Sequence, residues 1–175
     1  MKVSIVTSSG LASLVQAAKM AAAESMSATF DQYMALARDE DPEVRRALAR
    51  NPNCPAAVQA VLADPDNGEE PNFDVVMALT ENPSPDPDIL WQLAESPYWV
   101  VRCAVLRHPR CSAEIAAKLV DDIAGEVRTC VAQADRIAPN VLAKLLHDPD
   151  PCVREAAWRN PIAQVNLKDI DPTIP

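Results

Sequence analysis

Cysteine and histidine are the residues here best suited to chemistry, as thiolate nucleophiles, general bases or ligands of a soft metal. The cysteines are Cys54, Cys103, Cys111, Cys130 and Cys152, and the histidines are His108 and His147. A zinc or iron–sulfur site needs about four ligands converging at bond lengths of about 2.3 Å. These cysteines form no CxxC pair. Against the repeat described below, Cys54 and Cys111 share one place and Cys130 stands where other copies have alanine, while Cys103 and Cys152 occupy two further places. Scattered register predicts small core or surface residues, with no metal and no cofactor. An odd number of thiols also argues against a secreted disulfide framework. Two histidines far apart in sequence supply catalytic triads poorly, and His108 reads as a corner residue that hydrogen-bonds backbone. Glycine totals three, and neither GxxxxGK[ST] nor GxGxxG occurs, so no phosphate-cradling loop is expected. The chain reads as non-catalytic.

Arginine is more informative, making up eleven of the sixteen basic residues. Arg45, Arg102, Arg128 and Arg154 each follow a valine directly. A guanidinium presents a rigid fork of donors. These four are therefore predicted to form a structural ladder, each pairing with a carboxylate of an adjacent corner, such as Asp41, Asp121 or Asp150, or with a helix-end carbonyl. A second set, Arg50, Arg107 and Arg159, lies six residues past the valines and is less committed to stacking, which makes it the candidate partner-binding stripe. Tyr98 and Trp99 sit at a corner between units. Trp91 takes a place held by alanine in three other copies, and Trp158 takes one held by Ala49, Thr80, Leu106 and Ala132. Such aromatics either fill local gaps or protrude as interface anchors.

The elements that position these residues repeat. Val-Arg-x-Ala or a close relative begins at Val44, Val101, Val127 and Val153, with a weaker copy at Val75; the last three strong anchors are 26 residues apart. A period in the twenties marks an array whose units bury their apolar faces against neighbours. The fourth position from each valine reads Ala47, Ala78, Ala104, Cys130 and Ala156, and the fifth Leu48, Leu79, Val105, Val131 and Ala157. Anchor, fourth and fifth share one helical face. A second helix follows, striped by Val58, Ile89, Ile115 and Val141, then Leu62, Leu93, Leu119 and Leu145. Between the two, X-Pro pushes its first residue out of α conformation, so the first helix is predicted to stop near Asn51, Asn82, His108 and Asn160. Pro55, Pro87 and Pro139 fall near the start of the second helix, where a missing N–H costs little.

Stepping 26 residues back from Val44 reaches Ala18, where Lys19 takes the arginine place and Leu36 the leucine place. A degenerate copy in 1–38, with a helix over about Leu11 to Ser25, is thus expected to cap the array with a soluble face. Tandem repeats fill 39–165, and 166–175 reads as an extended tail. The 31-residue step from Val44 to Val75 places an acidic insertion at 64–71.

Composition bounds the class. Hydrophobic residues reach 49% but aromatics only 4%, so small aliphatic side chains must fill the core. With alanine and leucine periodic and glycine scarce, the chain is all-α. A net charge of −9 disfavours general nucleic-acid binding and an anionic membrane surface. No segment approaches the roughly 20 apolar residues that span a bilayer, and Thr7, Ser8, Ser9 and Gly10 break any signal-peptide core. A cytoplasmic protein is expected.

The run Asp41-Pro42-Glu43-Val44-Arg45-Arg46-Ala47-Leu48-Ala49-Arg50-Asn51-Pro52, continuing to Pro55 and Leu62, resembles the bacterial leucine-rich repeat variant family over roughly residues 30 to 165. The resemblance implies a right-handed, HEAT-like α-solenoid of five to six two-helix units, alternating α- and 3₁₀-type helices, without β-sheet. Some members carry an iron–sulfur cluster in a separate cysteine-rich segment; this chain has no such segment. HEAT-like bilin lyases and DNA glycosylases share the Val-Arg element, but their repeats are longer and lack the regular Asn-Pro corner. The expected function is a non-catalytic scaffold that binds a protein partner through Arg50, Arg107, Arg159, Trp91, Tyr98, Trp99 and Trp158. The alternative is a nucleic-acid-binding or DNA-modifying protein that uses the arginine stripe, and salt dependence separates the two.

Overall fold

A computed structural model describes residues 8–64 and 73–163. Over these residues the chain is helical and carries no strand. The α-helices are α1 (Ser8–Ala23), α2 (Phe30–Ala37), α3 (Pro42–Arg50), α4 (Ala56–Ala63), α5 (Phe73–Thr80), α6 (Pro87–Leu93), α7 (Trp99–Arg107), α8 (Ala113–Lys118), α9 (Gly125–Ala132), α10 (Pro139–Leu145) and α11 (Pro151–Arg159), and a 3₁₀ turn, Leu119–Asp121, continues α8. Of the expected insertion at 64–71 only Asp64 is described, and the tail at 166–175 lies outside the described residues.

Local chemistry sets the helix ends. Asp41 accepts the Glu43 N–H at 2.8 Å and Pro42 opens α3; Asp150 accepts the Cys152 N–H at 2.8 Å and Pro151 opens α11. Each pairs a side-chain cap with a proline at the first helical position. Thr29 and Gln32 form a reciprocal capping box at α2. Helices α3, α7 and α11 stop at Arg50, Arg107 and Arg159, because Asn51, His108 and Asn160 are extended, with ψ of 119°, 133° and 131°. Helix α5 stops at Thr80, two residues before Asn82.

The chain divides into two compact units, up to Ile89 and from Leu90, with the boundary inside α6. In the first, α3 packs on both α1 and α5, and α2 packs on α3 and α4. In the second, α9 packs on both α7 and α11, and the 3₁₀ turn and α10 also pack on α9.

Val44, Val75, Val101, Val127 and Val153 are buried, as are Leu48, Leu79, Val105, Val131 and Ala157. Leu62, Leu93, Leu119 and Leu145 of the second stripe are buried too. Three expectations need correction. The fourth position is buried at Ala78, Cys130 and Ala156 but only half-buried at Ala47 and Ala104, and the covered face extends to the sixth position, where Ala49, Thr80, Leu106 and Ala132 are buried. Likewise Leu142, not the half-buried Val141, fills the core in α10. The second helices are α-helical over six to eight residues, with 3₁₀ geometry confined to Leu119–Asp121. Their first turns already close i→i−4 bonds, Gln59 N–H to Pro55 O at 2.9 Å and Leu142 N–H to Ala138 O at 3.1 Å.

Helix α1 also departs from a polar cap. Leu11, Leu14 and Val15 stand more than half exposed, and their spacing puts them on one face. No helix among the described residues is long and apolar enough to cross a membrane.

Candidate functional site

Asn51, Asn82, His108, Asp148 and Asn160 are buried polar residues at helix corners, and asparagine ties corners together. Asn51 Nδ2 donates to the carbonyls of Ala23 and Ser25 at 2.7 and 2.8 Å, while its Oδ1 accepts the Asn53 N–H. Asn82 does the same to Ala49 and Asn51, both at 2.8 Å, and accepts from Ser84. Asn160 reaches Ala132 and Ala134 at 2.8 and 3.2 Å and accepts from Ile162. Each carboxamide thereby binds two carbonyls at the end of the preceding first helix and one N–H of its own corner. His108 fills the acceptor half of this role, its Nδ1 taking the Arg110 N–H at 3.1 Å. Both its neighbourhood and its burial fit a corner residue rather than an exposed base.

Arginine supplies a second tie. Arg102 Nε and Nη2 grip Asp122 at 2.7 and 2.8 Å, and its Nη1 donates to the carbonyls of Ser96 and Pro97. Arg128 repeats this with Asp148 at 2.7 and 3.0 Å and with the carbonyls of Asp122 and Ile123. Arg154 donates to the carbonyls of Asp148 and Pro149, and Arg45 to those of Asp39 and Glu40. Lys19, in the arginine place of the first copy, meets Asp39 at 2.8 Å. The Nε of Arg45 has no partner among the described residues.

The carboxylates named from sequence were the wrong ones. Asp41 and Asp150 are held as helix caps, and Asp121 pairs with Lys144 at 2.6 Å. The ladder instead uses Asp39, Asp122 and Asp148, each 20 residues past its cation. One signal was legible in register: Ser96 stands in the aspartate place, and 20 residues before it the arginine place holds Val76. Burial pushes the Asp122 carboxyl up, but the Arg102 hydrogen bond, the Ala124 N–H and the nearby guanidinium charges outweigh it and hold the group below the ordinary carboxylate range. For Asp148 the Arg128 hydrogen bond is the largest influence, and it too is held low.

The second arginine set does not form one stripe of equivalent residues. Arg50 pairs with Glu81 at 2.6 Å, tying the end of α3 to that of α5. Arg159 pairs with Glu155 one turn back on its own helix. Arg107 is exposed and makes no ion pair among the described residues. The aromatics are all partly exposed, Trp91 by 37%, Tyr98 by 39%, Trp99 by 46% and Trp158 by 44%. Lys118 lies 5.5 Å from the Trp91 ring centroid, within cation–π reach, and also pairs with Glu95. Residues in the place of Trp158 are buried in the four earlier copies.

Cys54, Cys103, Cys111 and Cys130 are buried and Cys152 is exposed. Burial pushes the thiols of Cys54 and Cys103 up to about 12 and that of Cys111 to about 11, so they are poor nucleophiles at neutral pH. Among the described residues no three metal-ligating side chains converge. Gln59, which no sequence signal singled out, is a buried bridge: its Nε2 donates to the Cys54 carbonyl at 2.8 Å and its Oε1 accepts the Asp86 N–H at 3.0 Å. No family model, no curated protein and no solved structure matches this chain.

Proposed function

We propose that the chain is a non-catalytic α-solenoid of the leucine-rich repeat variant kind and that its role is to bind another protein. The observation that carries this reading is the exposure of every tryptophan. The chain has three, and Trp91, Trp99 and Trp158 all lie between 37% and 46% exposed on short helices. Tryptophan is strongly buried on average, and partly exposed aromatics on rigid elements are the anchors that dominate protein interfaces. The arginine and asparagine ties supply the rigidity. Arg50 and Arg159 of the second arginine set are paired with carboxylates, and the net charge of −9 works against a phosphate backbone.

The test is retention of a partner from native-host extract by the full chain and by the variant with Trp91, Trp99 and Trp158 all changed to alanine. The wild-type chain is expected to retain a protein, and the variant, helical by circular dichroism, to bind it at least tenfold more weakly. Equal binding by the variant, or a retained nucleic acid whose affinity falls steeply with salt, would overturn the reading.

A further inference from the structure

The corner tie is missing at one place. Asn51, Asn82 and Asn160 each bridge two carbonyls of the preceding corner. By the same register the pair between α7 and α8 is Leu106 O and His108 O, the latter already accepting the Cys111 N–H at 2.9 Å just as Asn51 O accepts that of Cys54 at 3.0 Å, and the bridging residue should be at 134, which is alanine. Leu106 O receives no backbone donor either, since Pro109 has no N–H and the Arg110 N–H is given to His108 Nδ1. In the complete corners the carboxamide oxygen accepts the N–H two residues on. Here that group is the Arg136 N–H, which has no acceptor among the described residues. The space is not packed shut. A cleft of about 430 Å³ opens there, lined by Leu106, His108, Cys111, Cys130, Gln133 and Ala134.

Two acceptors and one donor, in the same sequence register as at the other corners, are the complement of a primary carboxamide. An ammonium or a guanidinium has no acceptor to offer Arg136, and a carboxylate has no donor for the carbonyls. The geometry points to a binding site for the asparagine side chain of a protein partner, which completes in trans the tie that Ala134 cannot make. This rests on the scaffold reading above and adds to it the chemistry of one contact. Burying the open carbonyl without a partner would be costly, so the contact favours asparagine over an apolar residue of similar size.

The experiment is an NMR titration of the ¹⁵N-labelled full chain with N-acetyl-asparagine N-methylamide, with its aspartate counterpart as control. Saturable shifts of the Cys111, Ala134 and Arg136 amide signals are expected for the asparagine probe, with at least tenfold weaker binding of the aspartate probe. Ala134→Asn, which supplies the carboxamide in cis, is expected to abolish the response and raise the Tm. If that variant loses its helical signal, Ala134→Leu, which fills the cleft without a carboxamide, is expected to abolish the response with no gain in Tm. Equal response to both probes, no response at these residues, or an undiminished response in the filled variant would overturn the site. For the partner, affinity at least tenfold lower with Ala134→Asn supports the asparagine contact. A partner that the tryptophan variant loses but Ala134→Asn keeps overturns the cleft and leaves the scaffold reading standing. Retention of no protein at all by the wild-type chain overturns the scaffold reading, and the probe titration then decides the cleft separately.

Discussion

Arg128 makes four hydrogen bonds, two to the Asp148 carboxylate and two to corner carbonyls. Removing it strands Asp148, whose side chain is only 6% exposed, and an unpaired buried acceptor costs more than the net worth of the bond that satisfied it. Arg128→Ala is therefore expected to lower stability by about 1 to 3 kcal/mol. Arg107→Ala, at an exposed side chain without an ion pair among the described residues, is expected to stay within about 0.5 kcal/mol. Urea midpoints of the two variants against wild type decide between them. The same rungs set the response to acid. Asp122 and Asp148 are held below their ordinary value of 3.8 only in the folded chain. Their contribution is thus complete above that pH and is lost as pH falls through 3.8 towards the folded values. Unfolding measured between about pH 6 and pH 3 should show this loss, and Asp148→Asn should flatten it.

At the scale of the element, the second helices are short, six to eight residues, too short to persist alone. Packing must hold them. Leu119 begins the 3₁₀ turn that rests on α9 and is 4% exposed. Leu119→Ala is expected to cost about 2 to 5 kcal/mol, the range for a buried leucine cavity. A loss under about 0.5 kcal/mol by chemical denaturation would contradict the packing of this turn on α9. The register of the leucine stripe was legible because a helix repeats its face every three to four residues whatever it packs on. The helix stops were legible because proline acts on the residue before it without help from the rest of the chain. The outer face of α1 was not: alanine-rich segments tolerate burial or exposure, and which side of Leu11, Leu14 and Val15 is covered depends on neighbours.

Across the whole molecule, the thiols report the packing of both units at once. Cys54 in the first unit and Cys103, Cys111 and Cys130 in the second are buried, while Cys152 is exposed. A thiol reagent added to the native chain is expected to modify one cysteine quickly, and all five after denaturation. Fast modification of two or more in the native state would show that one of the cores opens readily.

The order of residues alone determined the helical class, the corners and the leucine stripe, all of which arise from interactions within about four positions along the backbone. Tertiary structure decided the partners of the long side chains. From sequence Asp41, Asp121 and Asp150 were as good a match for the guanidinium groups as Asp122 and Asp148, but Asp41 and Asp150 are claimed by N–H groups of their own helices and Asp121 by Lys144. A guanidinium sits at the end of a flexible stem, and the carboxylate it meets is fixed by how one helix lies on another. For the same reason, whether Ala134 is a harmless substitution or the floor of a cleft depended on two carbonyls that belong to a corner 26 residues earlier.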